Sequence, residues 1–211
     1  MKQKLILLLV AAVFLTSCGP QIYKAANFEK IRKNQKILAI LPFKATVDLK
    51  KLPKGTTVES LKESNKSTGY SVQSNIYSEF LKKISKNKYD IEFQDIDKTN
   101  AILATNKITY EEMLLKDKSE LCKILGVDGV ISGDIRMSQP MSEAGAIALQ
   151  VLAGASGSTN KTEIALTIHN KEDGKLLWKY DYQASGRIGS SAESLTKDLM
   201  KKVAKKFPYK R

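Results

Sequence analysis

The amino-acid sequence predicts an α/β fold: a mixed sheet flanked by helices, with a C-terminal hairpin and a closing amphipathic helix. Three stretches carry that expectation. Lys36-Ile37-Leu38-Ala39-Ile40-Leu41-Pro42-Phe43 is a β-type run, apolar on both faces, as a central strand covered on both sides is. Between residues 67 and 135, helical spacing and strand-like alternation take turns, the pattern of a layered sheet-and-helix domain. Ile164, Leu166 and Ile168 then alternate with Glu163, Ala165, Thr167 and His169, and a turn at residues 170–174 returns the chain through Trp178, Tyr180 and Tyr182.

The chain opens with Lys2 and Lys4, followed by an almost purely hydrocarbon run from Leu5 to Leu15. About eleven residues suit the apolar region of a secretory signal, whereas a spanning helix needs roughly 20. The next stretch, Leu15-Thr16-Ser17-Cys18, resembles the lipobox of bacterial lipoprotein precursors: an apolar residue, two small ones, then cysteine. That resemblance implies a diacylglyceryl thioether on Cys18, cleavage between Ser17 and Cys18, and N-acylation of the new amine, with palmitate as a typical chain. The chemistry needs a thiolate nucleophile, and small neighbours that let a membrane-embedded protease reach the peptide bond. At about 0.8 kcal/mol per buried methylene, two or three acyl chains make a durable anchor. Residues 1–17 are thus expected to be a signal peptide, 18–35 a lipidated tether with a short helix near residues 25–31, and 36–211 a single α/β domain.

Within that domain, Pro42 is expected to end the first strand. Residues 44–66 are polar and lysine-rich, carry the turn signal Pro53-Lys54-Gly55, and read as a long basic loop. From residue 67 to 86 the period turns helical, with Val72, Ile76, Phe80 and Ile84 four apart and Tyr77 and Leu81 widening the stripe. Asn87-Lys88 breaks it, and Tyr89-Asp90-Ile91-Glu92-Phe93-Gln94 alternates like a strand. A short helix begins near Asp97. Thr109 and Glu112 have capping-box spacing, as do Asp117 and Glu120 in weaker form, so two short helices precede the stop at Gly126. Residues 127–135 form the next strand. Residues 140–160 are an apolar, small-residue insertion. Ala192, Leu195, Leu199, Val203 and Phe207 line one face of the last helix, with lysines on its other sides.

The 211 residues carry 35 Lys and Arg against 22 Asp and Glu. Only Lys2 and Lys4 fall in the signal, so the remaining chain keeps a surplus of roughly eleven positive charges. Such a surplus favours anionic surfaces: phospholipid head groups, acidic glycans or an acidic partner. The lysines lack the aromatic interleaving of a single-strand nucleic-acid binder, and export argues against that partner class. Once Cys18 is acylated, Cys122 has no cysteine to pair with; it sits in an apolar helical stretch and reads as a buried structural thiol.

The run Ile37-Leu38-Ala39-Ile40-Leu41-Pro42-Phe43, the segment Leu125-Gly126-Val127-Asp128-Gly129-Val130-Ile131-Ser132-Gly133, and Asp173-Gly174-Lys175-Leu176-Leu177-Trp178 together resemble a group of envelope lipoproteins. Their fold is like the N-terminal domain of TolB, an anticodon-binding-like sandwich. The group includes the curli secretion-channel lipoprotein, the lipoprotein activator of a bifunctional penicillin-binding protein, and a neisserial-type lipoprotein family. The resemblance spans roughly residues 36–207. It implies the fold and an envelope compartment, and supplies no shared catalytic residue. Curli-type channels insert two strand hairpins per subunit, whereas here only residues 144–155 look suited to lipid, without the polar alternation of a barrel strand.

An enzyme would need a constellation of chemical groups. His169 is the one histidine and flanks a hairpin turn, which reads as a hydrogen-bonded strand residue. No glycine loop precedes a lysine–hydroxyl pair to cradle phosphate, and Glu111-Glu112 and Asp95/Asp97 have ordinary helix-start roles. The expectation is therefore a non-enzymatic protein without catalytic, metal or cofactor residues, its only prosthetic chemistry being the acyl chains on Cys18. It would be held by those chains at the periplasmic face of the outer membrane. There it would serve another envelope protein as adaptor, assembly subunit or activator, with a homo-oligomer among the candidate states. The alternative is an oligomeric outer-membrane secretion channel of the curli type.

Overall fold

The computed structural model describes residues 19–48, 57–138, 160–186 and 191–211. In chain order the elements are β1 (Gln21–Lys24), α1 (Phe28–Arg32), β2 (Ile37–Ile40), β3 (Lys44–Asp48), α2 (Val58–Ile84), β4 (Glu92–Phe93), α3 (Ile96–Thr105), α4 (Tyr110–Leu115), α5 (Lys118–Leu125), β5 (Gly129–Ser138), β6 (Asn160–Asn170), β7 (Leu176–Gly186) and α6 (Ala192–Lys206). The strands make one seven-stranded sheet in the order β1-β7-β6-β5-β2-β4, with β3 also on β5. It is mixed: β2, β3 and β4 join by parallel pairing, whereas β5, β6, β7 and β1 pair antiparallel. This is the α/β class the sequence predicts.

Strand β5 organises the sheet. Its first half pairs with β2, in the register Leu38↔Gly129, and its second half with β3, in the register Lys44↔Asp134. Pro42 therefore divides one long edge into two strands, and the chain resumes pairing on the far side of the joint. The joint is tied down from outside. Phe43 N donates to Gly69 O of α2 at 3.2 Å, and the Tyr110 hydroxyl donates to Phe43 O at 2.6 Å while accepting from Ala45 N at 3.3 Å. A proline removes one ladder donor, and these bonds satisfy the groups that the detour leaves unpaired.

Two cores lie on opposite faces of the sheet. On one, α2 and α6 cover β5–β7: Val72, Ile76, Phe80, Leu199, Val203 and Phe207 pack on Ile131, Ile164, Leu166, Ile168, Trp178 and Tyr180. Phe80 touches Phe207 and Phe93 with ring centroids 4.4 and 4.8 Å apart. On the other, α3, α4 and α5 cover β2 and the adjoining ends of β5 and β6: Leu103, Met113, Leu121, Cys122 and Leu125 pack on Ala39, Leu41 and Val130. Apolar residues on both faces of β2 are what this double cover requires.

The helix ends follow the sequence signals. Thr109 and Glu112 form the reciprocal capping box of α4, Asp117 caps α5 through the amides of Ser119 and Glu120, and Gly126 closes α5 in the left-handed region at φ 67°. Several boundaries differ from expectation. Residues 18–35 are not merely a tether: β1 pairs with β7, and Phe28 of α1 is fully buried against Tyr209. Residues 44–66 are not one long loop either, because β3 occupies 44–48 and α2 starts at Val58, capped by Thr57. The first turns of α2 carry almost no apolar stripe, so periodicity misses them and only the Thr57–Ser60 box marks the start. In the 89–94 segment only Glu92 and Phe93 pair as a strand, with Tyr89 bridging Lys210 instead. Leu81, counted in the α2 stripe, is 41 % exposed. The 140–160 insertion lies outside the described residues, apart from Asn160 at the start of β6.

Candidate functional site

The second face of the sheet is covered by helices on the β2 side and open towards β7. The cause is in β5, whose residues on that face change from Val130 to Ser132, Asp134 and Arg136. Polar side chains there gain nothing from burial, and among the described residues no element packs over them. Pairing extends the pattern across the sheet. One rung reads Lys44, Asp134, Ala165, Asp181 and Gln21; the next reads Thr46, Arg136, Glu163 and Gln183. Together with Gly19 they line an open groove of about 490 Å³.

A second hollow of about 490 Å³ adjoins it and shares Lys44 and Asp134. Its walls include Leu114, Leu115 and Lys118 from the helical side, and Ser132, Thr167 and His169 from the sheet. Leu115 is 89 % exposed at this rim. The charges along the face are mixed. Lys179 Nζ lies 2.9 Å from Asp181 and Lys161 Nζ 2.5 Å from Glu163, each pair two residues apart on one strand; Arg136 Nε lies 3.5 Å from Asp48 on β3. A broad face of alternating charge with an exposed leucine at its edge suits a protein partner better than a small apolar ligand.

Of the chemical candidates from the sequence, His169 and Glu111 line this second hollow together, and the others lie apart from it. His169 Nδ1 donates to Gly174 O at 2.9 Å and so buttresses the β6–β7 turn; burial holds its pKa below the ordinary 6.5. Ser132 Oγ and Thr167 Oγ1, 2.9 Å apart, satisfy each other across β5 and β6. Cys122 is fully buried, and desolvation pushes its thiol up to about 12. Glu112 serves the capping box, where Thr109 lowers its pKa, and Asp95 caps α3 through Asp97 N and Lys98 N. Ser17 and Cys18 lie outside the described residues. Among the described residues, no group of three or more His, Cys, Asp or Glu is placed to hold a metal, and no helix is long and apolar enough to cross a membrane.

Sequence reasoning did not single out Lys44, Asp134, Arg136, Glu163, Asp181 or Gln183. The signal for the β6 and β7 members was in the alternation, which puts them on one face; their alignment with β3 and β5 depends on register, which alternation leaves open.

No protein-family model matches the chain, and no curated protein matches it. Solved structures do align with it. The PelC dodecamer from Paraburkholderia phytofirmans is 11 % identical at a TM-score of 0.44, over 88 % of this chain and 95 % of that one. Lipoprotein GNA1162 from Neisseria meningitidis is 12 % identical at 0.43, over 81 % and 94 %. The LpoB C-terminal domain from Salmonella enterica is 7 % identical at 0.37, over 75 % and 95 %. Of the three, GNA1162 is named a lipoprotein, as are the members of the group that the sequence resembles. The fold class itself rests on the sheet order and layering of this chain.

Proposed function

We propose that this chain is a lipid-anchored protein of the bacterial envelope that acts without catalysis, as an adaptor, assembly subunit or activator of another envelope protein, through the open face of its sheet. The observation that carries the reading is the placement of Gly19, which follows the lipobox cysteine directly and lines the groove beside Gln183 and Arg136. Acyl chains on Cys18 would therefore hold the groove beside the membrane rather than at the end of a long leash. A partner embedded in or resting on that membrane would meet the face already oriented, which lowers the orientational cost of binding. The outer membrane, periplasmic side, is the address we favour. The roles of His169, Cys122 and the capping carboxylates in holding the fold support a non-enzymatic reading.

One arrangement favours the second reading, an oligomeric outer-membrane secretion channel of the curli type. Ser138 and Asn160, which flank the apolar 140–160 insertion, leave β5 and β6 at the same end of the sheet as Gly19. In that reading the insertion would meet the bilayer beside the anchor.

The test is twofold. Metabolic labelling with an alkyne-tagged palmitate should mark the native chain and not the Cys18→Ser variant, which should also leave the membrane fraction; equal labelling or unchanged fractionation sinks the anchor. A photo-crosslinking residue at Gln183 should then capture one envelope protein, whereas the same residue at Lys123, on the outer side of α5, should not. Capture only of sister subunits in a ring, with ion conductance, would decide for the channel.

A further inference from the structure

At the end of the molecule opposite Gly19, five cations surround one small pocket. Lys83, Lys88, Lys205, Lys210 and Arg211 line a hollow of about 240 Å³ together with Tyr89 and Ala204, and no carboxylate side chain lines it. The backbone holds them together. Lys88 N donates to Lys83 O at 2.9 Å, Arg211 N donates to Lys88 O at 3.1 Å, and Tyr89 bridges Lys210. The Tyr89 hydroxyl donates to Ala204 O, which fixes the end of α6 to the same strip. None of the five makes an ion pair with a described carboxylate. The nearby acids are engaged elsewhere: Asp90 pairs with Arg32 at 2.7 Å, and Glu79 with Lys82 at 2.7 Å.

Helix ends account for part of this. Lys83 and Lys205 lie in the last turns of α2 and α6, where cations complement the helix dipole. Lys88, Lys210 and Arg211 lie beyond both helices, held together by the Tyr89–Lys210 bridge and the Arg211 N to Lys88 O bond; the Arg211 guanidinium donates to Asn87 Oδ1, and Arg211 also lines an adjoining hollow with Asp90 and Glu92. Bringing five like charges round one hollow costs repulsion, and bound oxyanions would relieve it. The pocket is open and lies on a rigid base, since Phe80, Tyr89, Phe207 and Tyr209 pack beneath it.

We propose that this pocket binds the carboxylate groups of an anionic cell-wall polymer. The affinity for oxyanions stands on the pocket; the choice of wall over membrane as their source rests on the anchor reading. Gly19 lies level with Gln183, and β7 runs from there to the opposite end at Leu176, seven residues or roughly 24 Å at about 3.4 Å per residue. The acyl chains and the basic pocket therefore mark opposite ends of the domain. A chain anchored at one end would present five cations away from its own bilayer, towards whatever anionic matrix lies beyond.

The experiment is co-sedimentation of the full chain, in neutral detergent, with purified peptidoglycan sacculi. Binding is expected at 0.1 M salt, where the Debye length is about 10 Å, and is expected to be lost at 1 M, where it is about 3 Å. Lys88→Gln/Lys210→Gln/Arg211→Gln should weaken binding by about tenfold, whereas Lys62→Gln/Lys66→Gln/Lys116→Gln, of equal net charge, should change it by less than about twofold. Poly-L-glutamate should compete. Circular dichroism of both variants checks that the substitutions leave the fold intact. Equal loss in both variants would reduce the effect to net charge and overturn the pocket. Absence of sedimentation, or binding to phosphatidylglycerol vesicles in place of sacculi, would overturn the wall assignment. Because the assay uses detergent-solubilised protein, its result does not depend on whether Cys18 is acylated.

Discussion

Gly69 stands in the middle of α2, where a glycine costs about 1 kcal/mol of helix propensity relative to alanine. By propensity, Gly69→Ala should stabilise the protein. The structure predicts the reverse. A Cβ at this position would lie 2.2 Å from Phe43 O and 2.9 Å from the Tyr110 hydroxyl. The first of these is backbone and cannot rotate away, so helix and β2–β3 joint must separate by about 1 Å to reach ordinary contact. That movement breaks the 3.2 Å bond from Phe43 N to Gly69 O and loosens Val72 and Ile76 from the core. Overpacking costs about 1–3 kcal/mol and the lost hydrogen bond about 1, against a propensity gain of about 1. The expected net loss is about 2 kcal/mol.

In a domain of this size that lowers Tm by about 4–8 °C, and with a urea m-value of about 2 kcal/mol/M it moves the unfolding midpoint down by about 1 M. Ser67→Ala, at an exposed position of the same helix, supplies the control and should be neutral or slightly stabilising. Urea unfolding followed by far-UV circular dichroism measures both. If Gly69→Ala proves as stable as the parent, or more so, the close approach of α2 to the joint is refuted.

Two further predictions concern single side chains. Cys122 should resist iodoacetamide at pH 8 in the folded protein and react once urea unfolds it, since burial pushes the thiol to about 12 and no solvent path reaches it; rapid labelling under native conditions would contradict the packing of α5. His169 has a folded pKa below 6.5 because burial disfavours the imidazolium, so the unfolded chain binds a proton that the folded one refuses. Its contribution is complete above about 6.5 and is lost as pH falls from there through the folded pKa. His169→Gln should accordingly flatten the fall in urea midpoint between about pH 7.5 and 5.5, and an imidazole NMR titration midpoint above 6.5 would refute the assignment.

The strands and helices with a strong period were legible in the chain. Ile164, Leu166 and Ile168 alternate because one face of β6 meets α6, and that face is buried as expected. The capping box at Thr109 and the stop at Gly126 are local chemistry, readable from four or five residues. The first nine residues of α2 were not legible, because an exposed helix without an apolar stripe leaves no periodic mark. Nor was β1: a four-residue edge strand, exposed at every position, has no alternation to find, and only its hydrogen bonds to β7 define it.

What the chain's order of residues decided is local: which segments pair or coil, and where they start and stop. Those depend on neighbours a few residues apart. The groove and the basic pocket depend on partners distant in sequence. Lys44 meets Asp134 through parallel register, Asp134 meets Asp181 two strands further on, and Lys88 meets Lys210 through a single bridge. Register is set by the packing of whole faces, in which every apolar side chain of β5, β6 and β7 must find the same core at once. That cooperative choice, made only in the folded molecule, puts scattered charges into a groove beside Gly19 and a cationic hollow at the opposite end.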